Sequence, residues 1–176
     1  MEKVNLVEIL HPKMDILFVA LNPPVNSNNN GHYFSNNLSF WNLMFNSELI
    51  IKPVKNKLTG DDEVFRQNDL NFKNAVFGIT DLAHDVVETN SNKVKIEKAR
   101  IDRILKILDA NTVKVLCLMH SSVSNSFQEA GLIRRNPNYG LLGKYKNTLI
   151  YEVPFHNASI PNKEQYYKLL KSTLKL

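Results

Sequence analysis

The sequence predicts one α/β domain layered α/β/α around a central, mainly parallel sheet of four strands. Two patterns predict it. Short apolar runs bounded by polar residues, Pro or Gly recur at 15–21, 75–80, 113–119 and 148–153, and segments with three- and four-residue apolar steps lie between them. Parallel neighbours need long crossovers, which the helical segments supply. At 176 residues and 43% hydrophobic content the chain suits one well-filled core, so 1–176 reads as a single domain.

Taken in order, residues 15–21 form a buried strand closed by Pro23 and Pro24. Residues 26–31, Asn-Ser-Asn-Asn-Asn-Gly, hold no apolar residue and read as a loop. A helix follows over 39–49, with Phe40, Leu43, Met44 and Ile50 at helical spacing, and 52–71 is polar and irregular. Residues 75–80 make the second strand. The clearest helix is 95–109, where Ile96, Ile101, Ile104, Leu105 and Leu108 share a face opposite Lys, Arg and Glu. The third strand, 113–119, leads into a helix from 122 to 129 that stops at Gly131. Pro154 halts the fourth strand, and Pro161 or Asn162 opens a terminal helix running through Lys175.

Composition narrows the function classes. No run approaches the ~20 apolar residues of a membrane span, and the start lacks the order of a secretion signal. A cytoplasmic protein is expected, nucleoid-associated if prokaryotic. Cys117 lies in an apolar strand and reads as buried; as the sole cysteine it excludes an internal disulfide and a four-cysteine iron–sulfur site. The net charge of +5 is uneven: from Arg134 onward eight Lys/Arg face two Asp/Glu, against fourteen and fifteen before it. A basic last quarter suits a polyanion, although taken alone it is more often a solvated basic helix.

In doubly wound sheets the binding crevice lies beyond the carboxyl ends of the strands. The loops after Leu21, Ile79 and Val153 should meet there. Asn22-Pro23-Pro24, then Gly31-His32-Tyr33-Phe34, then Phe40-Trp41 resemble, at nearly the same spacing, the first motif of the mismatch-specific uracil-DNA and thymine-DNA glycosylases. Gly78-Ile79-Thr80-Asp81-Leu82 is similar to a Gly-Ile-Thr-Asn-Leu segment of that family. The resemblance implies a uracil-DNA glycosylase-like fold and a monofunctional enzyme of base-excision repair. Such an enzyme flips a damaged or mispaired base from DNA and hydrolyses its N-glycosidic bond.

By that resemblance Asn22 is the catalytic residue, positioning a water near the sugar C1′. Phe34 stacks on the flipped base with Tyr33 beside it, although both could belong to the core, as Phe40 and Trp41 do. Pro23, Pro24, Gly78, Thr80 and Asn157 would complete the base pocket. His156, at the start of a final motif, would donate to a carbonyl of the leaving base. Asn26, Ser27, His32, Ser159, Ile160, Asn162 and Lys163 would touch DNA, Ile160 as an apolar wedge.

The chain also departs from the family. Pro24 stands where a glycine is usual and has no backbone N–H, and Phe155-His156-Asn157 differs from the Pro-Asn-Pro-Ser-Gly of the mismatch-specific branch. Uracil, thymine or hypoxanthine could therefore be preferred, or activity lost. Asp81 and Asp85 could line the crevice, Asp85 equally as a turn or cap residue. The remaining histidines, His11, His32, His84 and His120, form no metal-binding spacing, and no phosphate-cradling glycine motif exists. No cofactor or metal is expected, and the partner is DNA bearing a damaged base, bound by a monomer. Two rival readings stay open: a non-cleaving DNA- or nucleotide-binding module, and a nucleoside or nucleotide hydrolase.

Overall fold

The structure is a computed structural model and describes residues 2–174. Strands β1 (Lys13–Ala20), β2 (Phe77–Asp81), β3 (Thr112–Leu118), β4 (Gly140–Tyr145) and β5 (Thr148–Glu152) form one sheet in the order β2-β1-β3-β5-β4. The pairs β1·β2, β1·β3 and β3·β5 are parallel, and β4 returns antiparallel to β5. The sheet thus has five strands, not the four expected. The extra strand carries two glycines, breaks register between Leu141 and Gly143, and buries only Leu142. An edge strand with one buried side chain leaves almost no periodic signal.

Alternation along β1 sends Ile16, Phe18 and Ala20 to one face and Leu17 and Val19 to the other. On the second face helices α3 (Lys98–Ala110) and α4 (Ser121–Glu129) bury Ile101, Ile104, Leu108, Val123 and Phe127 in a mainly aliphatic core. On the first face α2 (Ser39–Asn46) and α5 (Lys163–Lys171) add Phe40, Trp41, Met44, Tyr167 and Leu170 to a core rich in rings. Phe18 meets Phe40, Phe65 and Phe77 edge-on at 5.7–6.4 Å between centroids. These faces make the three layers. Among the described residues no helix is long and apolar enough to cross a membrane.

Three further expectations change. The stretch read as a loop over 26–31 is mostly helix α1 (Val25–Asn30), closed by Gly31 at φ 71°. Its buried Asn28 explains why an all-polar segment folds here. The Asn28 Oδ1 accepts from the amides of Asn5 (2.7 Å) and Leu6 (3.3 Å), and its Nδ2 donates to the Lys3 carbonyl (2.8 Å). Tertiary hydrogen bonds thus override turn propensity. The polar stretch 52–71 contains a π-helical turn, Asp62–Arg66, whose Val64 and Phe65 are fully buried. The terminal helix ends at Lys171, and Lys175 lies outside the described residues.

Candidate functional site

The three loops meet beyond the carboxyl ends of β1, β2 and β5. They enclose a cavity of about 200 Å³ lined by Ala20, Pro24, Asn26 and Ser27 from the first, Asp81 and Thr89 from the second, and Phe155, His156 and Asn157 from the third. Leu6, Tyr33, Phe34 and Phe40 also line it. The volume is below the ~300 Å³ of pockets for drug-sized ligands, which suits one flat ring system rather than a whole nucleotide.

Phe34 is half-buried and sits at φ 52°, a conformation uncommon outside glycine. Rings hold it there. It stacks on Phe40 at 3.8 Å between centroids, meets Trp41 edge-on, and its carbonyl accepts from the Trp41 indole N–H at 3.1 Å. His156 stands perpendicular to Phe34 at 5.3 Å. Burial, and then the nearby Lys163 charge, push the His156 imidazole down to about 4, so it is neutral at pH 7 and keeps one N–H to donate. Its buried Nδ1 has no hydrogen-bond partner among the described residues.

Asp81 ends β2 and is 2% exposed. Burial raises its carboxyl to about 7, against the opposing pull of the nearby Tyr33 hydroxyl and of Arg103. The Asp81 Oδ2 is buried without a partner among the described residues. Burial together with Asp81 and Glu8 pushes the Tyr33 phenol far up, so it stays a donor. Below Asp81, Arg103 donates to Glu8 Oε2 (2.9 Å), to Thr80 Oγ1 (3.2 Å) and to the Asp81 carbonyl, which fixes the end of the strand.

Asn22 lies between two wall residues, Ala20 and Pro24, but is not itself on the wall. Its Nδ2 is surrounded by the carbonyls of Pro23 (3.2 Å), Val86 (3.0 Å) and Glu88 (2.7 Å). Three acceptors around one nitrogen fix the amide's orientation and leave only its oxygen to act. The side chain therefore latches the 86–88 segment against β1 as well as standing at the strand tip.

Other expected base contacts move for a geometric reason. Along β2, Phe77, Ile79 and Asp81 share the cavity face, so alternation turns Gly78 and Thr80 away. Gly78 is needed for packing: a Cβ there would lie 2.4 Å from Met14 Sδ and 2.9 Å from the Ile9 carbonyl. The Thr80 hydroxyl donates to Glu8 Oε2 at 2.6 Å. Pro23 is buried and is also off the wall, whereas Pro24 is exposed and lines it.

Among the expected DNA contacts, Asn26 and Ser27 are on the cavity wall. Ile160, Asn162 and Lys163 line an open polar groove of about 600 Å³ that shares Ser39 and His156 with the cavity edge. Lys168 lines it too, and Lys163 Nζ donates to the His156 carbonyl at 2.6 Å. Ser159 is exposed and lines neither. The basic last quarter is partly consumed internally, since Arg135, Lys146 and Lys171 pair with Glu152, Asp109 and Glu48.

His32 is a brace instead of a surface contact. Its Nδ1 is 3.0 Å from Asp61 Oδ1, and Asp61 also accepts from the amides of Tyr33 and Asp62. His32, Asp61 and Asp62 bring possible ligand atoms within 4.8 Å of one another. Each already has a partner, Asp62 pairing with Arg66, so the cluster locks the loop that carries Phe34.

Asp85 is exposed, bonded to Arg100 at 2.5 Å and off the wall. Pattern reading placed Asp81 near the crevice but did not foresee the influence of the Tyr33 hydroxyl on it. Nor did it single out Leu6, Asn36, Asn37 or Thr89, which no periodicity or motif marks. No protein-family model matches the chain, and no curated protein matches it.

Proposed function

We propose that the chain is a DNA glycosylase of the uracil-DNA glycosylase type, which draws a damaged or mispaired base into the cavity and hydrolyses its N-glycosidic bond. One observation carries this reading: a half-buried phenylalanine ring, held at positive φ, walls a cavity sized for a single base and rimmed by Asp81, His156 and Asn157. A ring face binds any base by stacking, and polar groups at its edge choose among them. His156, neutral at pH 7, donates to a carbonyl as negative charge builds on the departing base. The Asn22 oxygen, left as the acting atom once its nitrogen is committed, accepts from the water that captures the sugar cation. The groove beside the cavity, with Lys163 and Lys168, takes the flanking backbone.

The position of Asn22 off the cavity wall favours a second reading, a module that binds an extruded base without cleaving it. Duplexes carrying uracil, thymine or hypoxanthine opposite guanine separate the two. Alkali-labile strand breaks that disappear with Asn22→Ala support the glycosylase. Tight lesion binding without breaks supports the module, and release of base from free nucleosides refutes both.

A further inference from the structure

We infer that Asp81 is a general acid, delivering a proton to the edge of the base as it leaves. This rests on the base-excision reading above and adds to it a residue that the reading does not require. Three observations carry it. Asp81 is on the cavity wall, at the end of a strand whose other cavity-face residues, Phe77 and Ile79, are apolar core. The Tyr33 hydroxyl acts on its carboxyl, while Oδ2 is buried with no partner among the described residues. An unpartnered carboxyl oxygen on a buried residue of the cavity wall is available for a hydrogen bond to whatever fills that cavity.

The groups around Asp81 determine its protonation. Tyr33 and Arg103 favour the carboxylate, Glu8 opposes it, and burial outweighs them, so the acid persists to about pH 7. A carboxylic acid kept neutral near physiological pH can donate where a carboxylate cannot. His156, also on the cavity wall, is pushed by burial down to about 4 and cannot supply a proton at neutrality.

The step balances as follows. The C1′–N bond breaks and its electron pair stays on the base nitrogen. The Asp81 proton moves to a carbonyl oxygen or ring nitrogen at the base edge. Water oxygen bonds C1′ and releases one proton to solvent, and solvent reprotonates Asp81 after the base departs.

The test is the single-turnover excision rate from pH 5.5 to 9 on duplexes with uracil or hypoxanthine opposite guanine. Affinity for a duplex bearing a tetrahydrofuran abasic analogue is read beside it. The wild-type rate is expected to fall tenfold per pH unit above about 7. Asp81→Asn, of the same shape, should be about 100- to 10,000-fold slower and flat with pH, with abasic-duplex affinity kept within about twofold. Tyr33→Phe removes a neighbouring hydroxyl that favours the carboxylate and should move the falling limb to higher pH.

An Asp81→Asn protein that excises at the wild-type rate, or keeps the wild-type limb, overturns the assignment and leaves the glycosylase reading standing. Wild-type protein that excises neither base at any pH overturns both. If Asp81→Asn loses cooperative unfolding, Tyr33→Phe decides: a limb that moves upward supports the general acid, and one that does not move overturns it.

Discussion

The two faces of the sheet are covered in different ways. Beneath α3 and α4 lie Leu, Ile and Val, packed by two regular helices of 13 and 9 residues. The opposite face is filled by Phe18, Phe40, Trp41, Phe65, Phe77 and Tyr167, under short helices, a π-helical turn and loops with several residues at positive φ. The cavity opens on this second side. Large rings can bridge gaps between irregular backbones where smaller aliphatics would leave voids, and irregular backbone can point side chains that a helix could not. One face therefore serves stability, and the other combines stability with a site.

The largest effects should come from breaking that contrast at its centres. Trp41→Ala removes a fully buried ring that contacts Phe34, Phe40 and Phe65, and should cost about 3–5 kcal/mol while also weakening base binding. Ile104→Ala, fully buried under α3, should cost about 2–5 kcal/mol but leave excision by the remaining folded protein unchanged. Urea unfolding, with excision assayed below the transition, checks both. Equal losses of function per folded molecule would erase the distinction. Overpacking probes the same contact from the other side: a Cβ at Gly60 would lie 2.4 Å from the Trp41 ring, so Gly60→Ala should destabilise by about 1–3 kcal/mol.

Asn22 ranks next, because it joins latch and site in one side chain. Asn22→Ala removes its amide nitrogen from three carbonyls and should cost about 1–3 kcal/mol. Amide exchange at Glu88, whose N–H donates to Pro23, should accelerate. Excision lost without faster exchange would assign Asn22 to chemistry alone.

The contrast also explains what was legible in the sequence. The aliphatic face was readable because Ile101, Ile104 and Leu108 recur at helical steps and β1 and β3 end in continuous apolar runs, so periodicity reported burial directly. The site face was readable only in fragments. Asn28 and Asp61 are polar residues buried by tertiary hydrogen bonds, which a pattern of apolar positions cannot signal. Val64 and Phe65 sit in a π-helical turn whose period matches neither template. Gly78 and Thr80 were placed in the base pocket by the resemblance of 78–82 to a family segment, but two-residue alternation puts them on the face opposite Asp81.

Protonation gives a smaller effect confined to the site face. His156 has its folded-state value depressed to about 4 from 6.5, so between those values the unfolded chain binds more protons than the folded one. Stability from this group is therefore full above about pH 6.5 and is lost as pH falls toward 4, by up to about 3 kcal/mol. Asp81 acts in the opposite sense. Its raised value makes its contribution full below 3.8 and declining as pH rises through about 7. The two slopes overlap, so the wild-type melting profile is flatter than either alone. His156→Gln should remove the acid-side loss and leave stability falling steadily from pH 4 to 7. A profile unchanged by the substitution would mean that the imidazole is solvated.

The smallest stability change should accompany a large change in binding, and Phe34 is where the two separate. Its ring is half-buried and stacked on Phe40, so Phe34→Leu forfeits ring contacts worth about 0.5–1.5 kcal/mol. Leucine keeps the Cβ, so the cost of φ 52° is the same in both proteins and cancels from the comparison. What does not cancel is the flat face offered to a base. Stacking on an aromatic side chain is worth about 1–3 kcal/mol per base, so affinity for a duplex with a mispaired uracil should fall about 5- to 150-fold. Affinity for undamaged duplex, which the proposed function assigns to the groove and its lysines, should hold. If both affinities fall together, the ring is part of the aromatic core and only that, and the division of labour between the two faces does not extend to the cavity.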